Sequence, residues 1–188
     1  LRSIPQHNQM VKKKSWEKRF GKSINESTIG LIGYGTIGKK VAKILNSFNC
    51  KILAHDITKI SKPAISSSIN NLLKHSDIIS LHLPLNDKTE NFINESKIKK
   101  MKDNVILINT SRGQLINEIH LEKSLRAKKI FSVGLDVFNE EPYSGKLINY
   151  ENVILTPHIG SYETKSRKKM EYEASRNLFL VLNEKIIN

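Results

Sequence analysis

Three side chains in the second half of the chain are of types that together can move a proton onto a carbonyl: Arg112, Glu141 and His158. Each stands just beyond an apolar run. Arg112 lies in Asn109-Thr-Ser-Arg-Gly113, Glu141 in Glu140-Glu141-Pro142, and His158 in Thr156-Pro-His-Ile-Gly160. A guanidinium grips a carboxylate in two places and polarises a neighbouring carbonyl. An imidazole delivers or removes a proton near neutral pH. A carboxylate beside that imidazole orients it and favours its protonated form. The trio suits reduction of a keto acid, provided a cofactor brings the hydride. Each residue also has a plainer reading. Arg112 could be a solvated loop charge, Glu141 a surface acid next to Glu140, and His158 a turn histidine. Of the other histidines, His7, His75 and His120 read as surface, His55 as adenine-end lining and His82 as cleft lining. No Cys/His spacing suits zinc, so no metal site is expected.

The signal for a cofactor lies in the first half. Thr28-Ile-Gly-Leu-Ile32 is an apolar run of strand character. Gly33-Tyr-Gly-Thr-Ile-Gly38 follows it, and Ile37, Val41, Ile44, Leu45 and Phe48 then fall at helical spacing. A second run, Lys51-Ile-Leu-Ala54, ends at His55-Asp56. Strand, glycine turn, helix, strand and acid form a dinucleotide-binding unit. Gly33 permits the tight turn, Gly35 lets a pyrophosphate approach the backbone, and Gly38 allows close packing. The helix N-terminus offers free N–H groups and partial positive charge to phosphate. Asp56 is placed to accept from the adenosine ribose hydroxyls, which favours NAD over its 2′-phosphorylated form.

The elements that must hold these groups repeat one theme. The chain reads as a loop over 61–68, a helix over 69–74, a third strand over 77–82 and a helix over 95–100. A fourth strand over 104–108, a helix over 117–128, a fifth strand over 130–135 and a sixth over 152–155 follow. A last helix is expected to start near Ser161, capped by it, with Met170, Ala174, Leu178, Val181 and Leu182 along one face. Apolar strands alternating with helices predict an α/β domain: a Rossmann-type doubly wound parallel sheet with helices on both faces. Ligands of such sheets bind beyond the carboxyl ends of the strands. That edge collects the glycines, Asp56, His82, Pro84, Thr110, Arg112, Asp136, Glu141, His158 and Gly160.

The chain has 188 residues, enough for one domain that buries about 70% of its unfolded surface. No apolar run approaches the roughly 20 residues of a membrane span, and residues 1–20 lack the apolar stretch of a signal peptide. A lone cysteine, Cys50, excludes an internal disulfide and fits a cytoplasmic setting. The net charge is +13, but the lysine clusters carry no interleaved aromatics of the kind that stack on bases. No specific nucleic-acid partner is expected; a positive field would draw in anionic cofactor and substrate. Residues 1–20 read as a partly helical polar arm, broken early by Pro5. Trp16 and Phe20 on it are candidates for a homodimer contact.

These motifs resemble the signatures of the D-isomer-specific 2-hydroxyacid dehydrogenases, over nearly the whole chain. The resemblance rests on Gly33 to Gly38, Asn109 to Gly113, Leu135 to Pro142, Thr156 to Gly160, and His82-Leu-Pro84-Leu with Thr89. It implies that Arg112 holds substrate, His158 is the acid/base, and Glu141, the acid directly before the proline, is its partner. It further implies that Thr36 and Ile37 belong to the pyrophosphate turn and that Asp136 meets the nicotinamide carboxamide. The implied cofactor is NAD and the implied substrate a small 2-hydroxy or 2-keto acid. Within the family the phosphoglycerate dehydrogenase-like subgroup looks nearest. Members carry a second, substrate-binding domain, which these residues do not contain. The chain is therefore expected to be the NAD-binding domain of a longer protein or a truncated product, since it starts at Leu1. A rival reading is a catalytically incomplete nucleotide-sensing or interaction module; the full set of Arg112, Glu141 and His158 favours the enzyme.

Overall fold

The computed structural model describes residues 1–18 and 20–187. Seven parallel strands form one sheet: β1 (Thr28–Ile32), β2 (Lys51–His55), β3 (Ile65–Ser66), β4 (Ile78–Leu81), β5 (Val105–Asn109), β6 (Ile130–Leu135) and β7 (Val153–Leu155). Their order across the sheet is β3, β2, β1, β4, β5, β6, β7. The chain therefore builds outward from β1 in one direction, then returns to β4 and builds in the other. The switch point lies between β1 and β4, where a doubly wound sheet opens its ligand crevice.

Among the described residues six α-helices accompany the strands: α1 (Ile4–Lys12), α2 (Thr36–Asn46), α3 (Ile69–His75), α4 (Glu95–Lys100), α5 (Glu118–Arg126) and α6 (Thr164–Ile187). Strands rich in β-branched residues present side chains to both faces, and two buried clusters result. The larger joins Ile32, Ile79, Leu81 and Leu107 with Leu72, Leu73, Ile98, Leu121 and Leu125 from α3, α4 and α5. The other joins Ile29, Leu31, Ile52 and Ala54 with Ala42 of α2. Side chains of Ser68, Asn94 and Asn117 accept backbone N–H groups and so start α3, α4 and α5.

Several expectations need correcting. The stretch 61–68 is not all loop, because Ile65–Ser66 adds β3 to the sheet edge beside Leu53 and Ala54. Pro5 begins α1 rather than breaking it, since a proline in the first helical turn has no N–H to leave unpaired. The fully buried positions of α2 are Gly38 and Ala42; of the expected face Val41 and Leu45 are half-buried against the core, whereas Ile37, Ile44 and Phe48 are exposed. Small residues one turn apart let this helix lie close to its neighbours. The last helix begins at Thr164, and Glu163 caps it by accepting the N–H groups of Lys165 and Ser166. Met170, Leu178, Val181 and Leu182 on α6 are exposed, and Ala174 with them. No helix among the described residues is long and apolar enough to cross a membrane.

Candidate active site

The glycine turn after β1 is fixed by backbone contacts. Gly33 has a positive φ of 96°, and a Cβ there would lie 2.4 Å from the His82 carbonyl oxygen. A Cβ on Gly38 would lie 2.4 Å from the Gly33 carbonyl oxygen. Both glycines are thus demanded by packing. Gly35 differs: a Cβ there would meet nothing within 4 Å. Open space above a glycine of ordinary φ, −74°, is room for a ligand rather than for a neighbour. Gly35 is also the N-cap of α2 and supplies no side-chain cap, unlike Ser68, Asn94 and Asn117. The first-turn N–H groups of Thr36, Ile37 and Gly38 are left to something else, and an anion suits them.

Asp56 stands just past β2. Its Oδ2 accepts the Tyr34 N–H at 2.5 Å, and its Oδ1 accepts the Thr58 N–H and Oγ1 at 2.8 and 2.9 Å. Burial alone would raise its pKa, but the Tyr34 and Thr58 donors outweigh it and hold the carboxyl below its ordinary value. The acid therefore carries its charge at neutral pH. Tyr34 is buried, and its hydroxyl donates to the Ser61 carbonyl. Together these fit a dinucleotide: an open cradle at Gly35, free helix N–H groups and a charged ribose acceptor.

His82, at the end of β4, pairs its Nε2 with Ser80 Oγ at 3.0 Å, and its Nδ1 is out of solvent with no partner. Burial pushes its pKa down, so the ring is neutral. Pro84 and Thr89 follow in one loop. Thr89 Oγ1 donates to the Pro84 carbonyl and accepts the Asn86 N–H, so it fastens that loop.

The second cluster lies across β5, β6 and β7. His158 Nδ1 faces Glu141 Oε2 at 2.9 Å. Glu141 Oε1 accepts the Phe138 N–H at 3.1 Å. The His158 hydrogen bond, followed by the Phe138 N–H, holds the Glu141 carboxyl below its ordinary value. The bond at Nδ1 leaves Nε2 as the nitrogen free to work, and the ring is half exposed. His158 has a positive φ of 52°, an uncommon backbone state for a non-glycine residue. The turn is held by Asp136, which accepts Thr156 Oγ1 at 2.6 Å and the N–H groups of Ile159 and Gly160 at 2.9 and 3.0 Å. Burial would raise the Asp136 pKa; those three donors overcome it and keep the carboxyl low.

Arg112 is exposed, and its guanidinium donates to the Ser111 carbonyl at 2.6 Å. It does not bond to Glu141 or His158. Its loop is shaped by Asn109, a 1% exposed residue that donates to the Arg112 carbonyl and accepts the Ser111 N–H. Thr110 lies exposed in the same loop. Asn109 and Thr156 were not singled out as positioning groups in the sequence, although both stand at strand ends. Among the described residues, no group of three or more His, Cys, Asp or Glu could hold a metal ion.

Residues 1–160 match the family described as D-isomer specific 2-hydroxyacid dehydrogenase, NAD binding domain. The chain belongs to that family. It is 39% identical over 186 residues to a hydroxypyruvate reductase of Thermotoga maritima, covering 95% of this chain and 61% of that one. It is 36% identical over 195 residues to a glyoxylate reductase of Thermofilum pendens, covering 96% of this chain and 58% of the relative. A D-lactate dehydrogenase from Aquifex aeolicus, solved with NAD and lactic acid, superposes with a TM-score of 0.90 at 31% identity, over 97% of this chain and 62% of that one. The chain thus spans about 60% of the relatives' length. As the NAD-binding domain of this family its cofactor is NAD. Neither reductase relative favours the phosphoglycerate subgroup.

The glycines separate folding from binding. Gly35→Val should fold with near-native stability, because the space is open, yet lose at least about tenfold in NADH affinity, or about 1.4 kcal/mol. Gly33→Ala should instead lower stability, because its Cβ meets backbone. Denaturant unfolding and NADH fluorescence titration on both variants check this; an unimpaired NADH affinity in a folded Gly35→Val contradicts the cradle.

Proposed function

We propose that these residues form the cofactor-binding and proton-transfer part of an NAD-dependent oxidoreductase acting on the CH–OH group of D-2-hydroxy acids, with reversible reduction of small 2-keto acids. The observation that carries this reading is the Glu141–His158 hydrogen bond at 2.9 Å, standing on the same strand-end edge as the open glycine cradle. The bound nicotinamide supplies or accepts the hydride. Thr36 and Ile37 offer their N–H groups to the pyrophosphate, and Asp56 accepts from the ribose. His82, Pro84, Thr89, Thr110, Asp136 and Gly160 border the remaining cleft. Arg112 is free to turn from the Ser111 carbonyl toward a substrate carboxylate and to polarise the adjacent carbonyl. His158 gives its Nε2 proton to the forming alkoxide during reduction and takes it back during oxidation. Glu141 holds the other ring nitrogen and so fixes the orientation of the ring.

Hydroxypyruvate and glyoxylate, named in two relatives, are the first substrates to try. In the complete protein, His158→Ala should lower turnover about 10²–10⁴-fold, the range for a positioned acid/base, with NADH affinity retained. Steady-state rates on these acids check it; unchanged turnover would refute the assignment of His158.

Cofactor choice should fall to NADH over NADPH. Asp56 is charged at neutral pH, and a 2′-phosphate beside it meets like charge. Calorimetric titration should show weaker NADPH binding, with Asp56→Ala narrowing the gap. Equal or tighter NADPH binding by the unaltered protein would contradict this.

Trp16 and Phe20 on the arm are 80% and 106% exposed, which supports the reading of this arm as a contact between two copies. Sedimentation at micromolar concentration should show a dimer; a single species at the 21.4 kDa chain mass would count against it. A cytoplasmic setting fits the lone Cys50.

A further inference from the structure

Glu141 is tied to the rest of the protein through Phe138. The Phe138 N–H is its only backbone donor, and His158 is its only side-chain partner among the described residues. Phe138 is itself enclosed. A Cβ on Gly113 would lie 2.0 Å from the Phe138 carbonyl carbon, so the Arg112 loop rests directly on the backbone that holds the acid. The other side of Phe138 is its ring, which stacks on Tyr143 with centroids 4.4 Å apart and planes 23° from parallel. Tyr143 is anchored in turn. Its hydroxyl donates to Glu118 Oε1 at 2.6 Å and accepts the Leu147 N–H at 3.2 Å. Glu118 lies in the first turn of α5, which packs its Leu121 and Leu125 into the main core.

We propose that Tyr143 is a positioning residue for the Glu141–His158 pair: it carries the fixed position of α5 through the Phe138 ring to the acid. Phe138 would then serve both loops, with Gly113 on its backbone and Tyr143 on its ring. Burial, followed by the neighbouring Glu118 carboxylate, pushes the Tyr143 phenol far above its ordinary pKa, so the hydroxyl stays a neutral donor. Tyr150 provides an internal comparison. It also reaches α5, donating to Glu122 Oε1 at 3.0 Å, but it stacks on no ring that holds Glu141.

The proposal rests on the reading of Glu141 and His158 as the proton-handling pair, and its test uses titration rather than turnover. The charged groups facing Glu141 are His158 and Asp136; the first lowers its pKa and the second raises it. A carboxyl held low by hydrogen bonds to its ionised form titrates higher once those bonds loosen. The experiment is carboxylate carbon NMR of glutamate-labelled protein through the acid range, on the unaltered protein and on Tyr143→Leu, Tyr143→Phe, Tyr150→Phe and His158→Ala. Tyr143→Leu should raise the Glu141 midpoint at least half-way to its value in His158→Ala. Tyr143→Phe keeps the stack but drops the Glu118 tether, and should raise it less. Tyr150→Phe should leave it in place. A folded Tyr143→Leu with an unmoved midpoint overturns the proposal, as does an equal shift in Tyr150→Phe. If Tyr143→Leu does not fold, Tyr143→Phe decides, and an unmoved midpoint there overturns it. A shifted midpoint alongside unimpaired turnover of His158→Ala would leave this coupling standing and remove the acid/base role alone.

Discussion

Asp136 is the carboxylate on which the reactive edge depends. It is 7% exposed, and every donor it takes comes from the turn that carries His158: Thr156 Oγ1 and the amides of Ile159 and Gly160. Its own N–H donates to the Asn109 carbonyl, at the root of the Arg112 loop. One residue after β6 therefore joins the ends of β5 and β7. An ionised carboxylate buried without such donors would be strongly disfavoured. The need to satisfy Asp136 is thus what shapes the turn, and the turn is what points His158 at Glu141. Its lowered pKa expresses the same fact, because the donors stabilise the charged form more than burial destabilises it.

The nucleotide half of the edge obeys a different constraint, that of backbone proximity. Gly33 lies against the end of β4 and Gly38 against Gly33, so the turn is closed from behind. Of the three turn glycines, Gly35 alone faces open space. The same turn leaves α2 without a side-chain cap, whereas α3, α4 and α5 are capped. Asp56 completes the arrangement by accepting the Tyr34 N–H, which ties the acid after β2 to the turn after β1. The chemistry then follows from placement at the switch point, where β1 and β4 lie side by side.

Much of this was legible in the sequence, because the periodicity of buried strands acts locally. β1 and β6 fall where their apolar runs place them, and α3 and α4 start where expected, at Ile69 and Glu95. The pairing of His158 with Glu141 was also legible, since both stand just past strand ends on one edge. What escaped depends on contacts between distant segments. β3 is two exposed residues that become a strand only by pairing with β2. Of the five residues at helical spacing, Val41 and Leu45 pack against the sheet, while the fully buried places on α2 go to Gly38 and Ala42, because close approach favours small residues, and Ile37, Ile44 and Phe48 stay exposed. One local detail also escaped: Glu163 rather than Ser161 caps α6, because its carboxylate takes the free N–H groups of Lys165 and Ser166. Asn109 and Phe138 lie inside motifs that assign them no role, and Tyr143 lies just outside; the part of Phe138 and Tyr143 is visible only once Gly113 and Glu118 are brought beside them.

The central claim is that the nucleotide lies along the strand-end edge from the glycine turn to the Glu141–His158 pair. A crystal structure of the protein soaked with NADH tests it most directly. The account predicts the pyrophosphate on the amides of Thr36 and Ile37 above Gly35, the adenosine ribose at Asp56, and the nicotinamide on the His158 side of the crevice. A nucleotide bound elsewhere, or one whose nicotinamide turns away from His158, would contradict it.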